Sequence, residues 1–260
     1  MMEKELKLAA ETPLESITAD VCEKPMYEDQ DVRVWDIRLA PGESTKLYRS
    51  QLWYNYLVIH GSQITVVPHP LSGGEIRVPT VLEHAAGDCG LVHPDGVEML
   101  VNTGDRNYRC IRIENKLMRE LNTYKVPDRP PLKTYRPNPN FDRMKEIMKR
   151  IPLDTLPENI GTNFYMEDDE LQLWGMELQP GDIGDLHYHT KYYFLAFICG
   201  DKSGVMPNPL CSDEEFFEME INPGRCSFSP PRNGSEIAWN IGTKYYRGFQ
   251  ILLKDFVPGQ

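Results

Sequence analysis

The sequence predicts an all-β protein made of two jelly-roll (double-stranded β-helix) barrels in tandem, with one short helix in the segment that links them. Three observations carry this expectation. The stretch Val32 to Glu43 (VRVWDIRLAPGE) recurs as Leu171 to Asp182 (LQLWGMELQPGD). Trp35 and Trp174, Gly42 and Gly181, and Gly61 and Gly200 are each 139 positions apart, so the copies align without a gap across this region. Self-similarity at a constant spacing marks a duplicated folding unit. Within each copy, apolar residues alternate in period two, as in Val32/Val34, Ile64/Val66 and Ile111/Ile113, which is the pattern of half-buried strands. Gly- and Pro-bearing turns separate the runs at matching places: Pro41-Gly42 answers Pro180-Gly181, and Ala86-Gly87 answers Pro223-Gly224. Short strands punctuated in this way suit a barrel closed from two sheets.

In chain order, residues 1–31 hold an amphipathic stretch followed by turn-prone residues and read as an N-terminal arm. Residues 32–114 form the first β-rich block. Residues 115–162 change in character: a Pro-rich extended connector precedes a helical pattern from Phe141 to Ile151. There Phe141, Met144, Ile147, Met148 and Ile151 share one helical face and Asn140 is placed to cap the first turn. The second β-rich block occupies residues 163–260. Its late turns continue the repeat, since Pro94 parallels Pro231 and Asn102-Thr-Gly104 parallels Asn240-Ile-Gly242. The offset drifts by one residue between these pairs, a change that a surface turn absorbs cheaply.

Composition narrows the function. Hydrophobic residues make up 40% and charged residues 26%, an ordinary balance for a soluble globular chain. No apolar run approaches the roughly 20 residues that span a bilayer, and the N-terminal sequence does not read as a secretory signal, so no membrane partner and a cytoplasmic location are expected. A formal net charge of −11 with scattered Lys and Arg argues against nucleic acid. The six cysteines have no C-x-x-C spacing and read as reduced thiols.

The second copy holds a His-x-His pair that the first lacks. The run from Gly181 through His187, His189 and Tyr193 to Gly200 resembles the first motif of the cupin superfamily, and Gly224, Pro231, Gly234 and Asn240 resemble the second. As a whole the chain resembles a bicupin. Both glycines and both histidines of the first motif are kept, while Tyr193 or Phe194 stands where the family has Glu, and Glu236 or Ile237 where it has His. The residues themselves point the same way. Side chains two apart on a strand share a face, so His187 and His189 would enter the barrel together. Imidazoles with a carboxylate suit a divalent transition metal such as Fe, Zn, Mn or Ni. Glu236 is the candidate third ligand, Tyr193 keeps the inward parity of the pair, and either residue, if not bound to metal, could serve as acid or base.

In the first copy Tyr48, Ser50, Tyr54 and either Glu98 or Met99 hold the corresponding places, a set with no call on a metal ion, and a structural role is expected. His60, His69, His84 and His93 show no ligand spacing and read as lone surface histidines; Trp35 and Trp174 read as core anchors. Lys191, Tyr192 and Arg225 lie near the expected mouth of the second barrel and read as solvated surface. The functional expectation is a metal-dependent isomerase, lyase or dioxygenase acting on a small organic molecule in the C-terminal barrel. A non-catalytic ligand-binding or structural bicupin, and a metal-free enzyme using the two histidines as acid and base, remain alternatives, and a homodimer is left open.

Overall fold

The computed structural model describes residues 2–258 except 95, 122, 125–140, 213, 214 and 233. The chain divides into two compact units, residues 1–116 with 257–260, and residues 117–256. In the first unit, α1 (Met2–Glu11) is followed by nine strands: β1 (Tyr27–Glu28), β2 (Val32–Leu39), β3 (Tyr48–Arg49), β4 (Tyr54–His60), β5 (Gln63–Pro68), β6 (Thr80–Glu83), β7 (Cys89–Val92), β8 (Val97–Asn102) and β9 (Tyr108–Asn115). They form two antiparallel sheets, β1-β2-β9-β4-β7 and β3-β8-β5-β6.

The second unit opens with a hairpin of β10 (Met118–Glu120) and β11 (Thr123–Tyr124), then α2 (Phe141–Met148). Nine strands follow: β12 (Asn163–Glu167), β13 (Leu171–Leu178), β14 (His187–Tyr188), β15 (Tyr193–Cys199), β16 (Lys202–Pro207), β17 (Phe217–Glu220), β18 (Cys226–Ser229), β19 (Ser235–Trp239) and β20 (Tyr246–Leu253). Their sheets run β12-β13-β20-β15-β18 and β14-β19-β16-β17, the order of the first unit strand for strand. This is the duplicated jelly roll that the repeat predicts. The register repeats as well: Trp35 lies opposite Arg112 in the β2–β9 ladder, and Trp174 lies opposite Gln250 in β13–β20.

Each barrel has its own core. Trp35, Ile37, Tyr48, Val58 and Ile64 pack together in the first, and Met176, Leu178, Phe197, Ile221 and Tyr246 in the second. Residues 1–31 fold onto the first barrel: Ala9 of α1 packs against Val67, Met99 and Val101, Val21 joins the core, and β1 extends the sheet through Tyr27↔Val34. The helix after the linker is shorter than its apolar pattern suggests, ending at Met148. Met148 is buried but Ile147 is half exposed, so the shared apolar face is only partly used. Asn140 and the Pro-rich connector lie outside the described residues. Two of the four other histidines depart from the surface reading. His69 is buried, with Nε2 2.9 Å from the Thr12 carbonyl and Nδ1 accepting from the Leu71 N–H, and half-buried His84 has Nδ1 2.9 Å from the Tyr108 hydroxyl. All six cysteines are free thiols.

The repeated turn residues have a physical explanation. Gly42 and Gly181 adopt φ of 86° and 84°, a left-handed conformation that a side chain disfavours. The repeated asparagines clasp the end of the barrel. Asn102 Nδ2 donates to the Leu39 carbonyl (2.8 Å) and the Arg106 carbonyl (2.7 Å), and its Oδ1 accepts from the Gly104 N–H (3.2 Å). Asn240 does the same with Leu178 (2.9 Å), Lys244 (2.9 Å) and Gly242 (3.0 Å). Both side chains are fully buried. Asn102→Ala leaves buried carbonyls without donors and is expected to cost about 2–4 kcal/mol in chemical denaturation; a loss below about 0.5 kcal/mol, the scale of an ordinary surface change, would contradict the clasp.

Candidate metal centre

β14 is only two residues long, yet it positions the site. It pairs with β19 so that His187 lies directly opposite Glu236, and the chain stays extended beyond it because the His189 N–H donates to the Gly234 carbonyl (2.9 Å). The alternation of side chains along an extended backbone then brings His187 and His189 to the same face. Both are 3% exposed, and their ring centroids are 4.7 Å apart. Glu236 Oε1 lies 3.3 Å from His189 Nε2. One ligand atom from each of His187, His189 and Glu236 can be chosen so that all lie within 4.8 Å of one another. Among the described residues no second group of three or more His, Cys, Asp or Glu converges in this way.

The hydrogen bonds around the triad suit a ligand set. A backbone carbonyl only accepts, so the 2.8 Å contact from His187 Nδ1 to the Asp185 carbonyl places the proton on Nδ1 and leaves Nε2 with its lone pair. Burial, then the neighbouring His189, pushes the His187 imidazolium to a lower pKa than usual, which favours the neutral ligand form. Both ring nitrogens of His189 are buried without an aligned hydrogen bond, the 3.3 Å approach of Glu236 notwithstanding. A buried imidazole left so is costly unless something else takes its lone pair, and a metal ion does that. Burial works to raise the Glu236 carboxyl, but His189, His187 and Arg232 together hold it below the usual range, so it is anionic. The donor set, two imidazoles and one carboxylate, thus fits a divalent transition metal.

Tyr193, at the start of β15, stacks obliquely on His189 with centroids 4.7 Å apart. Burial, reinforced by the Glu236 charge, raises its pKa and keeps the phenol protonated. The two alternatives from the sequence sort by strand parity: Ile237 and Phe194 follow Glu236 and Tyr193 directly on their strands and turn to the other face. The triad borders a cavity of about 220 Å3 inside the barrel, whose wall includes Tyr193, Phe197, Arg225, Ser229 and Gln250. His189, Phe217, Arg232 and Glu236 also border a broader open cleft of about 780 Å3. Arg225 therefore faces the cavity rather than only solvent, and Arg232 is a site residue that the sequence did not single out. No residue spacing signals either one; the β18 and β19 turns carry them there. Lys191 instead pairs with Glu158 (3.1 Å), and Tyr192 stacks on Phe228.

At the equivalent place in the first barrel, Tyr48 lies opposite Glu98 and donates to it at 2.7 Å. Ser50 accepts a 3.2 Å hydrogen bond from Arg112.

No protein-family model matches the chain, and no curated protein matches it. Among solved structures it is similar to a cupin domain from Bordetella pertussis (15% identity, 36% of this chain and 90% of that one, TM-score 0.32). It is also similar to a cupin 2 conserved barrel domain protein from Leptotrichia buccalis (13% identity, 92% and 91%, TM-score 0.30). A third is an oxalate decarboxylase variant from Bacillus subtilis (15% identity, 88% and 70%, TM-score 0.32). By its repeated strand order and paired turn glycines, the chain is a protein of two duplicated jelly-roll barrels.

Proposed function

We propose that the C-terminal barrel is the working site of a metal-dependent enzyme that acts on a small organic molecule by isomerase, lyase or dioxygenase chemistry. The observation that carries the reading is the convergence of His187, His189 and Glu236, with both His189 ring nitrogens lacking an aligned partner among the described residues. These three side chains would hold a divalent transition metal, which would supply a Lewis acid for polarising a carbonyl or hydroxyl oxygen.

The chain's own residues do the rest. Tyr193, a protonated phenol beside the triad, is suited to donate a hydrogen bond or a proton to the reacting group. Arg225 and Arg232 both line the cavity and present guanidinium groups, which favours a substrate bearing an anionic group such as a carboxylate. Met176, Leu195 and Phe197 form an apolar part of the same wall, against which the body of such a substrate would pack.

Elemental analysis of protein purified without chelator is expected to find a single transition-metal ion per chain. The His187→Ala, His189→Ala double variant should lose it and retain its fold, since each barrel has its own core; Tyr48→Phe with Ser50→Ala should keep it. Metal-free wild type would favour a non-catalytic barrel instead, and full metal content in the double histidine variant would refute the ligand set. Once a substrate is found, Tyr193→Phe should keep the metal and lower kcat by about 10²- to 10⁴-fold, the usual contribution of a positioned proton donor. An unchanged kcat would remove Tyr193 from the chemistry.

A further inference from the structure

The first barrel encloses a cavity of about 420 Å3, larger than the one beside the histidine pair and within the range of small-molecule sites. Its inner wall has the same architecture as the metal centre but other chemistry. Tyr48, Ser50 and Tyr54 stand where the second barrel has His187, His189 and Tyr193, and Arg112 stands where it has Gln250. Arg112 is 1% exposed. Its Nη2 hydrogen-bonds Ser50 Oγ (3.2 Å) and pairs with Glu114 Oε1 (2.9 Å), and the guanidinium lies 3.6 Å over the Tyr54 ring. This barrel thus carries a buried cation, Arg112, at the position that the neutral Gln250 holds in the second.

A barrel with only a structural role would fill this space with apolar side chains, because a buried guanidinium is costly to desolvate. Here the space is kept open, with apolar walls that include Ile37, Val66, Leu82 and Leu100, and with Tyr54 and Arg112 among the lining residues. Among the described residues the Arg112 Nε–H has no acceptor, and no group hydrogen-bonds the hydroxyl of Tyr54, a residue that also lines the cavity. Tyr54 stays protonated because burial raises its pKa.

Charge selects the ligand further. Arg112 faces two carboxylates, its partner Glu114 and Glu98, the latter on the cavity wall. An anionic ligand would bring a third negative charge into a dry site. An ammonium offers only donors and cannot serve a surplus of N–H and O–H groups. We propose that the N-terminal barrel is a second ligand site, binding a small uncharged molecule with an apolar or aromatic body and a carbonyl or hydroxyl oxygen that accepts hydrogen bonds from Arg112 and Tyr54.

The test is calorimetric titration of the full chain with three probes of one size: acetophenone, benzoate and benzylamine. Acetophenone is expected to saturate a single site, with benzoate and benzylamine at least about tenfold weaker. Arg112→Leu should weaken acetophenone about tenfold or more, the scale of a lost hydrogen bond to a charged group. Leu82→Trp, which fills the cavity from the half-buried strand β6 and leaves Arg112 in place, should abolish binding with an unchanged circular dichroism spectrum. It decides the matter if Arg112→Leu fails to fold. His187→Ala should leave the titration unaltered. Absence of acetophenone binding, acetophenone binding that survives Leu82→Trp, or benzoate or benzylamine binding that is as tight as acetophenone and is lost in Leu82→Trp would overturn the proposal.

Discussion

Each barrel depends on one buried asparagine. Asn240 joins three pieces of chain through its side chain: the end of β13 at Leu178, the turn at Gly242 and the approach to β20 at Lys244. Its backbone adds two more bonds, accepting from the Gly181 N–H (2.8 Å) and donating to the Asp182 carbonyl (2.9 Å). A residue held by five bonds cannot slip along its strand, and in a sheet a slip of one residue turns every side chain to the opposite face. The register of β19 is thereby set, and Glu236 meets His187 rather than facing away. Asn102 holds β8 by the same bonds, so Glu98 meets Tyr48.

With the scaffold locked in this way, the inward positions are free to differ. In the second barrel they hold two imidazoles and a carboxylate, and burial lowers the His187 pKa while neighbouring groups hold Glu236 low against its own burial. In the first, the carboxylate at the Glu98 position is kept while the imidazoles give way to a tyrosine and a serine, and a buried arginine supplies the positive charge. Arg112 is tolerable there because Glu114 pairs with it and the faces of Tyr54 and Tyr48 lie against it at 3.6 and 5.0 Å. Buried arginines recur elsewhere in the fold with partners: Arg109 makes two 3.0 Å bonds to Asp36, and Arg247 bonds Tyr165 at 3.0 Å. A duplicated barrel of this kind separates the demands of folding, which sit in the turns and the clasp, from those of chemistry, which sit in a few inward side chains.

Local rules carried the sequence reading a long way and failed where contacts are remote. The histidine pair was legible because two-residue spacing on a strand is a geometric statement, and Glu236 because counting back from Asn240 respects a register that the clasp enforces. Arg112 was invisible: it sits in an alternating strand, and nothing in its neighbours distinguishes an inward arginine from an outward one. Arg225 and Arg232 were missed as cavity residues for the same reason, since a turn's direction depends on the strands it joins. His69 looked like surface because its partner, the Thr12 carbonyl, lies 57 positions away. Ile147 looked like core because helical periodicity names a face without saying whether anything covers it.

By itself the sequence determined the duplication, the strand periodicity, the left-handed turn glycines and the histidine pair, all of which depend on residues close along the chain or on an offset that repeats. Only the tertiary structure decided which inward groups meet: Glu236 with His189, Arg112 with Ser50 and Tyr54, and a cavity in each barrel with its own charge and polarity. The reason is physical. Parity tells which face a side chain takes, but the identity of its neighbours is set by pairings between strands far apart in sequence, and the electrostatics of a buried group is determined by those neighbours.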